Sequence, residues 1–415
     1  MMPRRMEPFT FLLLMAVGLS ACGGAATDTP AASQGVTVDV QPRIAQVVPS
    51  GTVPFTSVVS GTNDRTVVWE VVEAGGGTID ATGRYTAPAT TGQFHVRVSS
   101  HADPSAQAVA AVTVAAQVIA DTLQVQGRHL LDTCGNRLVI RGVEESFGIG
   151  IDVRGSWSSL VDQIALTGSN AFRLLPNMSQ LTTADVDGII GRAVYNQMVV
   201  FLSVGTANRA WFGQAATKAM IARYKKWIVL DALEEVTFDD RTRWQSEAIA
   251  AIGWFRGQGY TEPVTVIANN YGRDLQSLLR NGAAVVAADP LGRTVLGWQA
   301  YWGNNDYWQG VYGLTLAEGI DQAALQPFPI QLGIIDYTDW FVFGPTVTMD
   351  FVPAMARAQA NGVGWLWWDY YNPFDTSTSL SPFDGMADNL DATGNVVVNT
   401  DPNGIRSTSQ RACGR

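Results

Sequence analysis

Histidine is nearly absent from this chain. Of 415 residues only three are histidines, His95, His101 and His129. A Ser-His-Asp triad, a Cys-His pair or a histidine-rich zinc site therefore has almost nothing to be built from, and neither a metal nor a cofactor is expected. Hydrolysis by paired carboxylates needs no histidine and stays open. Charge is scarce too. Asp, Glu, Lys and Arg make up 15% of the chain, which is low for a cytosolic protein and ordinary for an exported one, and the net charge is −10. No nucleic acid is expected as a partner, because it would want a basic patch. Apolar residues, by contrast, reach 47%, enough for a large core. Thirteen Trp and eleven Tyr supply aromatic platforms as well as core.

The first residues are shaped for export. Arg4 and Arg5 give a positive start, and Phe9 to Leu19 form an apolar run too short to span a bilayer with ease. It ends Leu19-Ser20-Ala21-Cys22, which resembles the lipobox of bacterial lipoproteins. That resemblance implies a signal peptide over 1–22, lipid attachment at Cys22 and a flexible tether over 23–35. Gly, not Asp, follows the cysteine, which in Gram-negative lipoproteins goes with the outer membrane. The expected location is extracytoplasmic, with membrane contact through the lipid only. Cys134 and Cys413 remain, and in an oxidising compartment they invite one disulfide between two exposed-looking positions.

Residues 36–116 alternate like short strands. Val67, Trp69 and Val71 share one face, as do Phe94, Val96 and Val98, and turn signals such as Gly75-Gly76-Gly77 separate them. About 80 residues of this kind is the size of a β-sandwich. The run VVWEVVEAGGGTIDATGRYTAP resembles bacterial Ig-like domains, with Trp69 as core. From 122 the pattern changes. Eight apolar strands, Leu138–Val143, Asn170–Leu175, Met198–Val204, Trp227–Leu233, Val264–Asn269, Thr294–Tyr301, Pro329–Asp336 and Gly364–Tyr370, begin 28 to 37 residues apart. Each gap fits a strand, a loop and a helix, and continuous apolar strands imply a parallel sheet covered outside. No Gly-rich phosphate loop follows any strand, so a (β/α)8 TIM barrel over 122–395 is preferred to a doubly wound sheet. Residues 396–415 are left as a C-terminal tail.

Chemistry in such a barrel sits at the C-terminal strand ends. Those ends carry Glu144 and Glu145, Arg173, Glu234 and Glu235, Asn269, Gln299, Tyr301 and Trp302, Asp336, and Trp367 with Trp368. Aromatic faces stack on pyranose rings, and amides and carboxylates bond hydroxyls, so the expected partner is an oligosaccharide or polysaccharide. Arg173, Glu234, Asn269, Gln299, Tyr301, Trp302 and Trp367 are the substrate-binding candidates.

Several runs then resemble glycoside hydrolase family 5, in its bacterial β-mannanase branch. They are LQVQGRHLLDTCGNRLVIRGV, GSNAFRLL, ANNYGRDLQSLLRNGAAVVAADPLGRTVLGWQAYWG and GVGWLWWDYYNP. The resemblance implies hydrolysis of a β-linked polysaccharide, mannan-like, with retention, by an acid/base Glu after Asn on the fourth strand and a nucleophilic Glu after Gly on the seventh. Glu235 takes the acid/base place, but Glu234 stands where the Asn would be. Gly205 and Gln299 stand where the family has histidines. The nucleophile place is Ile334, and isoleucine cannot form a glycosyl ester. Binding without the family reaction is therefore favoured. The alternative is relocated chemistry, with Glu235 as acid and Asp336 as base or nucleophile at the wider separation of an inverting enzyme. A structural or adhesion lipoprotein is the third reading.

Overall fold

The computed structural model describes residues 35–115, 120–147, 157–234, 236–300, 313–335, 351–371, 379–381 and 384–413. Cys22, Glu235, Tyr301, Trp302 and Asp336 lie outside the described residues, as does most of the tether.

The N-terminal part is all strand. It runs β1 (Thr37–Gln41), β2 (Ile44–Val47), β3 (Thr52–Pro54), β4 (Thr56–Ser60), β5 (Val67–Val71), β6 (Thr78–Ile79), β7 (Arg84–Thr86), β8 (Gly92–Ser100) and β9 (Gln107–Val114). The strands form a sheet ordered β2-β9-β8-β5, a sheet ordered β3-β7-β6 and the pair β1-β4. Alternate residues Val96 and Val98 of β8 and Val112 and Val114 of β9 meet Val40, Val53, Phe55 and Tyr85 in one core. Trp69 is only half-buried, at the edge of that core, its ring 6.4 Å from Phe55.

A small hairpin, β10 (Gln124–Gln126) and β11 (His129–Leu131), leads into the barrel. Its strands are β12 (Arg141–Phe147), β13 (Ala171–Pro176), β14 (Val199–Leu202), β15 (Ile228–Leu233), β16 (Val264–Ile267), β17 (Thr294–Ala300), β18 (Ile330–Ile335) and β19 (Trp365–Trp368). Each pairs in parallel with the next, and β19 closes on β12. Helices lie between successive strands: α1 (Trp157–Leu166), α2 (Thr183–Tyr195), α3 (Ala215–Tyr224), α4 (Arg241–Gly257), α5 (Leu275–Ala287), α6 (Leu316–Ala324) and α7 (Phe351–Asn361). Their starts follow local chemistry. Thr182 with Asp185 and Thr315 with Glu318 form capping boxes, and Asp240 caps α4 by accepting from the Arg243 N–H. The helices bury apolar stripes such as Val186, Ile189, Ile190 and Ala193 of α2 against the strands. Gly142 is required where β12 meets β13, because a Cβ there would run into the Ala171 carbonyl.

The first barrel strand differs from its expected span. Glu144 and Glu145 do not end it; they lie inside β12 and are buried, which needs partners described below. The segment after 395 is packed, not loose. Val397, Val398 and Ile405 join the barrel core, and the buried Arg411 donates to the Ser169 and Ala165 carbonyls. Cys134 and Cys413 are bonded to each other, with Cα atoms 5.9 Å apart. Neither is exposed: at 4% and 2% they sit against Val48. The N-terminal strands contact the barrel through Arg406 donating to Asp39 at 3.0 Å and Gln197 Nε2 donating to the Thr52 carbonyl at 2.7 Å.

Candidate functional site

Parallel register decides which side chains share the barrel mouth. Glu144 of β12 is level with Arg173 of β13 on one side and with Trp368 of β19 on the other. Arg173 is almost fully buried, so its five N–H donors need acceptors. Nη1 donates to Glu144 Oε1 at 2.9 Å, Nε to Asp231 Oδ2 at 2.7 Å, and Nη2 to Glu234 Oε1 at 2.8 Å. Thus one guanidinium faces three carboxylates. Among the described residues no group of three or more His, Cys, Asp or Glu side chains is arranged to hold a metal ion.

Strict strand alternation would send Asp231 and Glu234 to opposite faces, since they are an odd number of residues apart. The pairing of β15 with β16 shifts register between Asp231 and Leu233, and that irregularity brings both onto Arg173. Asp231 was not among the residues singled out from the sequence. It lies inside an apolar strand, and only the shifted register reveals its direction. Burial raises its carboxyl above the usual range, and the Arg173 charge opposes this.

Glu145 points away from this cluster. Its Oε2 accepts the Tyr371 N–H at 2.9 Å. Burial, then the neighbouring Asp369 charge, pushes it well above the ordinary carboxyl range, with Glu144 adding a little more. Asp369 in turn accepts from the Ser379 hydroxyl at 2.6 Å. A raised folded pKa contributes stability in acid, and that contribution is lost as pH rises through the folded value. Glu145→Gln keeps an acceptor for Tyr371 but cannot ionise. It should gain on the wild type in denaturation free energy as pH rises above roughly 4.3. Parallel pH profiles for the two proteins would disprove the raised acidity of Glu145.

Two sugar-binding expectations need correction. Trp367 is fully buried and packs edge-on against Phe351 of α7, with centroids 5.1 Å apart and planes at 80°. It faces the helices, so it is core and not an open platform. Its neighbour Trp368 is half-buried and level with Glu144, which puts it on the mouth side. Register parity, unavailable from a run of Trp-Leu-Trp-Trp, is what tells them apart. Asn269 is also committed elsewhere. Its Oδ1 accepts from the Phe238 N–H at 2.9 Å and its Nδ2 donates to the Phe238 carbonyl at 3.2 Å, so it clamps the loop after β15.

Gln299 is different. It is fully buried near the end of β17, level with the Ile334 backbone of β18, and neither amide atom has a hydrogen-bond partner among the described residues. Such a group costs about 1–3 kcal/mol, which a polar ligand can offset.

No family model matches the chain. Two mannan endo-1,4-β-mannosidases are similar in sequence. That of Cellvibrio japonicus is 26% identical over 310 residues, covering 69% of this chain and 68% of the relative. That of Streptomyces lividans is 27% identical over 322 residues, covering 72% of this chain and 78% of the relative. Among solved structures, the β-mannanase of Streptomyces thermolilacinus with mannohexaose superposes with a TM-score of 0.60 at 21% identity, covering 70% of this chain and 97% of that one. That match speaks for the fold, the eight-stranded barrel built above. The chain is therefore homologous to mannan endo-1,4-β-mannosidases and shares the barrel of the β-mannanases.

Proposed function

We propose that the barrel binds a β-linked polysaccharide at its mouth and does not carry out retaining hydrolysis. The observation that carries this reading is position 334. Its backbone lies in β18 beside Gln299, in the strand where a retaining relative would hold its nucleophile, and its residue is isoleucine. A glycosyl ester needs a carboxylate there. Binding needs only an aromatic face and polar groups, for which Trp368, Glu234 and Gln299 are available. The relatives named above are mannanases, so mannan is the first ligand to try.

The rest of the chain fits presentation of such a barrel outside the cell. Residues 36–116 are read as an Ig-like module, residues 1–22 as a signal, and Cys22 as the lipid attachment point at the outer membrane. Cys22→Ser should move the protein from the washed membrane fraction to the soluble one; retention in the membrane would refute the anchor.

The main test is a panel of β-linked polysaccharides assayed both for binding by calorimetry and for release of reducing ends. Binding without release is expected. Robust release would overturn the proposal. Release with inverted configuration, abolished by Asp336→Asn, would instead assign catalysis to Glu235 and Asp336.

A further inference from the structure

Among the described residues three carboxylates share the Arg173 guanidinium, and they are not equivalent. The side chains of Glu144 and Asp231 are each 1% exposed, whereas that of Glu234 is 10% exposed. Arg173 holds Glu234 by Oε1, which leaves Oε2 outside that contact and fixes where it points. The wall beside Oε2 is Gly205, at the end of the β14 segment. A Cβ added there would lie 3.7 Å from Glu234 Oε2 and meet nothing else within 4 Å among the described residues. Gly205 has φ of 70°, a conformation that glycine adopts without cost, and having no Cβ it leaves Oε2 uncovered from that position. Two strands along, on β17, Gln299 holds a fully buried amide against Gly272 with no hydrogen-bond partner among the described residues, a second sign that a polar ligand completes the site.

A carboxylate oxygen can only accept hydrogen bonds. A neutral sugar offers it hydroxyls. An amino sugar offers an ammonium, and charge-assisted bonds are roughly twice as strong as neutral ones. We propose that Glu234 is a specificity-determining residue that selects, among β-linked polysaccharides, those carrying protonated amines, such as a β-linked glucosamine polymer. The net charge of −10 acts in the same direction at longer range, by drawing a cationic polymer toward the protein. This inference rests on the polysaccharide reading given above.

The test measures binding of three oligosaccharides of matched length to the intact exported chain in mildly acidic, low-salt buffer. They are the glucosamine oligomer, its N-acetylated counterpart and the mannose oligomer. The glucosamine oligomer should bind tighter than either neutral sugar by on the order of tenfold, the worth of one hydrogen bond to a charged group. Added salt should reduce the advantage by screening the long-range attraction of the net charge, while a contact at a side chain only 10% exposed is screened less. Glu234→Gln should weaken the glucosamine oligomer more than either neutral sugar, so that the preference disappears whatever the variant does to neutral-sugar affinity. Equal or tighter binding of a neutral sugar overturns this inference and leaves the polysaccharide reading intact. Binding of none of the three overturns both. If Glu234→Gln does not fold, the wild-type comparison and its salt dependence decide.

Discussion

Replacing Arg173 by methionine should cost the fold about 3–5 kcal/mol, the usual penalty for removing one partner of a buried ion pair. The packing volume is nearly kept, so the loss is electrostatic. Glu144 on β12, and Asp231 and Glu234 in and just after β15, would keep their positions without the donor they share. Two of these side chains are almost sealed from water. Proton binding then becomes the way to lower the cost. Asp231 is already held above the usual carboxyl range by burial, with Arg173 pulling the other way. Without that pull its folded-state pKa rises further. A group with a raised folded pKa stabilises in acid and loses that contribution as pH rises. The deficit of Arg173→Met should therefore be largest at neutral pH and shrink on acidification. Urea denaturation of both proteins across that range measures it. A deficit that does not change with pH would mean that lost packing, not lost charge, explains the instability.

The same cluster shows how far the sequence could be read. The eight barrel strands were legible because strands buried on both faces are continuous apolar runs. Trp227–Leu233 and Thr294–Tyr301, for example, became β15 and β17 with their ends moved by a residue. The first strand was placed too early because Glu144 and Glu145 looked like its end. They are tolerated inside it by Arg173 and by the Tyr371 N–H, partners 29 and 226 positions away. No local pattern contains that information. The direction of Glu234 depended on a register irregularity, and the choice between Trp367 and Trp368 depended on which layer β19 shares with β12. Asn269 was misread for a related reason. Its residue type suits a sugar, but the nearby Phe238 backbone offers it a donor and an acceptor first. Residue type at a strand end identifies candidates, and pairing between strands decides which of them reach the mouth.

Removing the disulfide should bring the other large loss of stability. Cys134 precedes β12 and Cys413 follows the last helix, with a sequence separation of 279. Closing so long a loop restricts the unfolded chain severely, and the chain-entropy argument sets an upper bound of about 5 kcal/mol. Two features of the folded state decide how much of that is realised. The sulfurs are buried against Val48, so the bridge also pins the strands of the N-terminal part near the barrel entrance. Asp132 joins the same two segments without any sulfur. Its Oδ1 accepts the N–H of Cys134 at 2.9 Å, and its Oδ2 accepts the N–H of Cys413 at 2.9 Å. That carboxylate should keep the C-terminal segment docked after the bond is gone, so the native fold survives and the loss appears in the unfolded state. The Cys134→Ala, Cys413→Ala double variant should accordingly keep its circular dichroism spectrum and its ligand affinity while its unfolding free energy falls by several kcal/mol. Wild type unfolded in reductant should match it. Adding Asp132→Asn should then release the C-terminal segment, seen as rapid proteolysis after 395. A double variant within about 0.5 kcal/mol of the oxidised wild type, the range of an ordinary surface substitution, would show that the bridge does not constrain the unfolded chain as argued.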